Sequence, residues 1–103
     1  MVNFLQETVQ AIKQSNKSIK DIVFIGSLLK NESCSWGDFA TKANFDYDNG
    51  YGGHIIRLDL VIVFDDKSQL VRQEYDGSEW WGYIAIPAIP EQTTKLESLL
   101  DKD

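Results

Sequence analysis

Apolar residues recur at spacings of three and four at the start of the chain: Val2, Leu5, Val9 and Ile12, with Gln6, Glu7, Gln10, Lys13 and Gln14 between them. That period predicts an amphipathic helix over residues 2–15. Ser15, Asn16 and Ser18 supply its stop signals. The β-branched and aromatic run Ile22-Val23-Phe24-Ile25 predicts a short buried strand ending near Gly26 or Leu29. Ser35-Trp36-Gly37-Asp38 fits the pattern in which a serine side chain caps the free amides of a helix start, so a short helix is expected over about 36–43. Residues 46–53 carry three glycines and the pair Asn49-Gly50. They read as a loop.

From His54 the period changes to two. Ile56, Leu58, Leu60, Ile62 and Phe64 alternate with Ile55, Arg57, Asp59, Val61 and Val63, which predicts a strand over 54–64 whose later part is covered on both faces. Residues 65–68 are a turn, and 69–75 return as a strand. Asp76-Gly77 is a type I′ hairpin signal. Residues 79–87 form the next strand, which Pro87 and Pro90 end because proline cannot donate to a ladder. Adjacent indoles on a strand point to opposite faces. Trp80, aligned with Gly82, Ile84 and Ile86, is assigned to the core, and Trp81 with Tyr83 to the exposed face. Leu96, Leu99 and Leu100 predict a short final helix over 91–100. The expected fold class is α+β in one domain, 1–103. An antiparallel sheet of about four strands, a three-strand meander plus the N-terminal strand, packs with an N-terminal, a short middle and a short C-terminal helix.

With 43% hydrophobic residues, the 103-residue chain is too apolar to stay disordered. Its net charge of -6 has the wrong sign for wrapping nucleic acid by phosphate neutralisation. Asn3, Gln6 and Glu7 stand where a secretory signal needs an apolar stretch, and the single Cys34 fits a reducing compartment, so a cytoplasmic protein is expected. The charge is concentrated: residues 46–79 hold -5, residues 1–45 hold +1, and residues 80–103 hold -2.

The chemistry that this permits is narrow. Cys34 and His54, one of each, cannot complete a structural zinc site. Asp46-x-Asp48 before Asn49-Gly50 is similar to part of a calcium loop. In either register, however, Tyr51 or Asn49 falls where the loop needs its glycine, and Arg57 or Ile55 where it needs a bidentate glutamate. Only a looser calcium site stays open. Gly50-Tyr51-Gly52-Gly53 lacks the lysine of a phosphate loop and precedes a strand. No cofactor is expected. The remaining feature is a set of acids among aromatics: Asp46, Tyr47, Asp48, Tyr51, Glu74, Tyr75, Asp76, Glu79 and Trp81. Loop acids also solvate turns, which accounts for Asp65, Asp66 and Asp76 without any partner. Aromatic anchors beside fixed charges are nevertheless the ingredients of a protein interface, and an acidic patch speeds encounter with a basic partner.

Three strings stand out: Ser35-Trp36-Gly37-Asp38-Phe39, Asp46-Tyr47-Asp48-Asn49-Gly50-Tyr51-Gly52 and Tyr75-Asp76-Gly77-Ser78-Glu79-Trp80-Trp81. In size, charge and aromatic loops the chain resembles small acidic proteins of phages and mobile elements, including anti-CRISPR proteins. More loosely, it resembles the acidic immunity proteins that neutralise nuclease toxins. The resemblance is one of general character and transfers no functional residue. It implies a non-enzymatic inhibitor in a bacterial cytoplasm that occupies the basic surface of a CRISPR effector or other nuclease. Neither direct nucleic-acid binding nor membrane binding is then expected. An immunity or antitoxin-like binder is the alternative, followed by a small enzyme using His54 as its base of near-neutral pKa. The exposed meander edge leaves a homodimer open.

Overall fold

A computed structural model describes residues 1–50, 53–86 and 91–100. It is α+β, with two antiparallel sheets and two α-helices among the described residues. Helix α1 (Phe4–Gln14) starts where Asn3 Oδ1 accepts the Gln6 amide at 3.0 Å. Phe4, Thr8 and Ile12 are its buried stripe, with Leu5 and Val9 half-buried beside them. The extended residues before it, β1 (Val2–Asn3), pair with β4 (Asp46–Tyr47) in a two-stranded ribbon. Helix α2 (Trp36–Ala43) is capped as its sequence predicts, by the Ser35 hydroxyl accepting the Asp38 amide at 3.1 Å.

The larger sheet has the order β3-β2-β5-β6-β7. Its strands are β2 (Ile22–Ser27), β3 (Glu32–Ser33), β5 (Val61–Phe64), β6 (Gln69–Tyr75) and β7 (Ser78–Ile84). The meander β5-β6-β7 and its pairing with β2 are as expected. The β6–β7 turn places Asp76 at φ 53° and Gly77 at φ 85°, the two positive angles of a type I′ turn. Cross-strand partners share a face. Ile25, Ile62, Leu70 and Trp81 therefore face α1 and form the core with Phe4, Ile12 and Phe64. Phe24, Val63, Val71, Trp80 and Ile84 lie on the other face, where Trp80 and Ile84 are exposed.

Four expectations are corrected. The strand expected over 54–64 is regular only at 61–64. Upstream, the Ile55 and Ile56 amides donate to the Glu79 carboxylate at 2.7 and 3.0 Å, so a side chain replaces the neighbouring strand. The two tryptophans are exchanged: Trp81 is 9% exposed and Trp80 is 40%. They alternate between faces as a strand requires, but α1 covers the side that also carries Arg72. Residues 91–100 form no helix, and Leu96, Leu99 and Leu100 are exposed. So short a helix needs an apolar surface to lie on, and these leucines meet none among the described residues. The sheet also has five strands rather than four, because β3 folds back on β2. Pro87, Pro90, Tyr51 and Gly52 lie outside the described residues.

Candidate protein-binding surface

The acidic segment is organised from inside by one buried arginine. Arg72, on β6, has a side chain with no solvent exposure. Its Nη1 donates to Glu7 Oε2 at 2.9 Å. Its Nη2 donates to Tyr47 Oη and to Glu79 Oε1, each at 3.1 Å. The guanidinium lies against the rings of Trp81 and Phe4, 5.0 and 5.2 Å from their centroids. Its Nε has no hydrogen-bond partner among the described residues. Trp81 stacks on Phe4 at 5.9 Å and donates its indole N–H to Thr8 Oγ1 at 2.9 Å. Tyr47 donates its phenol to Glu7. Burial, reinforced by Glu7, raises the Tyr47 pKa well above its ordinary value. Burial opposes the charge of Arg72, but the bonds to Glu7 and Tyr47 outweigh it and the pKa of Arg72 rises.

Three of the expected surface residues therefore lie inside. Tyr47, Glu79 and Trp81 are buried and bind α1, β6 and residues 55–56 together. One signal for this was present in the sequence. Arg72 shares a strand face with Leu70, and a cation on a core face needs buried anions near it.

The remaining acids stay outside. Asp46, Asp48, Glu74 and Asp76 are exposed, and Tyr75 is 75% exposed. The Glu79 amide donates to the Asn49 carbonyl at 2.9 Å, laying the 48–50 loop along the outer edge of β7. Glu74 pairs with Glu79 from the other side. The loop and the end of β6 thus flank β7 at one end of the sheet, two strand spacings or roughly 10 Å apart. That is about a Debye length at physiological salt, so a partner meets their charges together. Several of these acids also serve their own turns. Asp48 Oδ1 accepts the Gly50 amide and Glu74 Oε2 the Gly77 amide, both at 2.9 Å. Asp46 Oδ1 accepts from Asn3 Nδ2 at 3.4 Å.

His54 is exposed and makes no hydrogen bond to the described residues, and Cys34 is a half-buried free thiol. Among the described residues no three His, Cys, Asp or Glu side chains converge as a metal site would require. No helix among them is long and apolar enough to cross a membrane. Comparison of the chain with family models, curated proteins and solved structures gives no match.

Proposed function

We propose that this chain is a non-enzymatic acidic binding protein of a bacterial cytoplasm. It occupies the basic surface of a nucleic-acid-handling effector, in the manner of anti-CRISPR proteins. The observation that carries this reading is the exposed end of the sheet, where Asp48, Glu74, Asp76 and the ring of Tyr75 are all open to solvent. Fixed carboxylates attract lysines and arginines that otherwise contact phosphate, and a tyrosine supplies a rigid apolar contact. The buried Arg72 network gives the hairpin a rigid base, which lowers the entropy lost on binding.

The test is binding to a panel of purified CRISPR effectors and nucleases by the parent chain and by Asp48→Lys and Asp76→Lys. Glu79 is unsuitable for charge reversal because its side chain is buried. Binding that weakens in both variants, and weakens with added salt in the parent, supports the reading. No binding across the panel, or binding indifferent to both reversals, contradicts it.

A further inference from the structure

A cavity of about 390 Å³ lies between α1, α2, β2 and the irregular segment 53–60, away from the acidic hairpin. Its size falls within the roughly 300–1,000 Å³ of small-molecule sites. The floor is apolar and buried: Phe4, Ile25, Phe39, Ala43 and Ile56. The one buried hydroxyl in its wall, Ser27, already accepts the Lys30 amide at 3.1 Å. Ligand recognition inside is therefore by apolar contact, and polar recognition is confined to the mouth.

Three features fix the positions of the walls. Gly26 has no Cβ, and one placed there would lie 2.0 Å from the Glu32 carbonyl oxygen, so only glycine lets β3 close so tightly on β2. Glu79 grips the inner side of segment 53–60 through the Ile55 and Ile56 amides. On the outer side, Arg57 Nη2 bonds Glu32 and Asp59, each at 2.7 Å.

The mouth has an electrostatic direction. Arg57 is committed to two carboxylates, so that side offers no free positive charge. Lys42, in the last turn of α2, lines the cavity, is exposed and has no ion-pair partner among the described residues. Cys34 lies in the wall and is the only thiol of the chain.

We infer that this cavity binds a small carboxylic acid with an apolar body, its acyl chain on the Phe4–Phe39 floor and its carboxylate against Lys42. Each methylene buried there contributes about 0.8 kcal/mol, so affinity rises about fourfold per added carbon until the floor is covered. The ammonium of Lys42 makes the acid bind more tightly than the alcohol of equal length.

Cys34 supplies the readout. Hexanoate, octanoate and decanoate, with the matching alcohols and all below their micelle concentrations, are titrated against the rate of N-ethylmaleimide alkylation. The amide shifts of Ala43 and Ile56, followed by NMR, give a second reading that does not depend on thiol access. The expected result is protection that strengthens with chain length, a preference for acid over alcohol, and loss of that preference in Lys42→Gln. Lys42 is exposed, so this variant folds as the parent does. An absence of both protection and shifts, affinity indifferent to chain length, or an acid preference that survives Lys42→Gln would each overturn the inference.

Discussion

Replacing Glu79 by glutamine changes one atom type at the point where β6, β7 and segment 53–60 meet. The carboxylate serves three donors: Oε2 takes the Ile55 amide, and Oε1 takes both the Ile56 amide and Arg72 Nη2. A glutamine has one acceptor oxygen. Placed at Oε1 it keeps Ile56 and Arg72, but turns an NH2 group toward the Ile55 amide, which is then left unsatisfied at about 1–3 kcal/mol. It also removes a negative charge from beside a guanidinium that stays buried, leaving Glu7 as its one ion-pair partner among the described residues. Removing one partner of a buried pair costs about 3–5 kcal/mol in total, and this figure includes the orphaned amide. Stability for a domain of this size is about 5–15 kcal/mol, so the variant loses a large share of it. At about 4–8 °C per kcal/mol, the melting temperature falls by at least about 12 °C. Urea unfolding followed by circular dichroism measures the free energy, and hydrogen exchange at the Ile55 and Ile56 amides locates it. A variant within about 1 kcal/mol of the parent, with both amides still protected, would refute the reasoning that Glu79 organises this end of the fold.

Four other outcomes follow from the same geometry. Trp81→Phe loses the indole bond to Thr8 and part of the packing on Phe4, and destabilises by about 2–3 kcal/mol in urea unfolding. Trp80→Phe, on the open face, changes stability by no more than about 0.5 kcal/mol. Gly26→Ala drives a methyl group into the Glu32 backbone and costs about 1–3 kcal/mol or more, read as a lower melting temperature. In acid, Asp66 is held below the usual carboxylate range by its bond to Lys17, and Asp59 by its bond to Arg57. The stability that they contribute is fully present above the unfolded carboxylate pKa of about 3.9 and is lost as pH falls through their lower folded values. Carboxyl NMR titration should place both midpoints below 3.9, and midpoints at or above it would contradict the pairing.

The elements with strong local signals were legible. The Ser35 cap, the Asp76-Gly77 turn and the alternation along β6 and β7 are written in neighbouring residues, and each appears where the pattern puts it. The sidedness of β7 was not, because Trp80 and Trp81 are equally apolar and the choice depends on Thr8, 73 positions away from Trp81. The early half of the 54–64 run alternates as a strand does, yet its amides go to the Glu79 carboxylate, a contact with no periodic signature. The candidate surface suffered in the same way. Glutamates read as surface residues, and the buried cation of Arg72 on the Leu70 face, with the Ile55 and Ile56 amides, makes Glu79 an interior residue. Asp48, Glu74, Tyr75 and Asp76, which serve turns and the hairpin tip, stayed where their composition suggested.

The proposed binding runs through the exposed acidic hairpin, and its association kinetics test that most directly. Association rates of the parent chain with a panel of purified CRISPR effectors and nucleases should include a partner whose rate falls steeply between low and physiological salt. Asp48→Lys with Asp76→Lys should lower that rate at low salt toward the salt-independent value, while the unfolding midpoint stays that of the parent. A panel without a partner, or a partner whose association rate ignores both salt and the double reversal, would contradict the account.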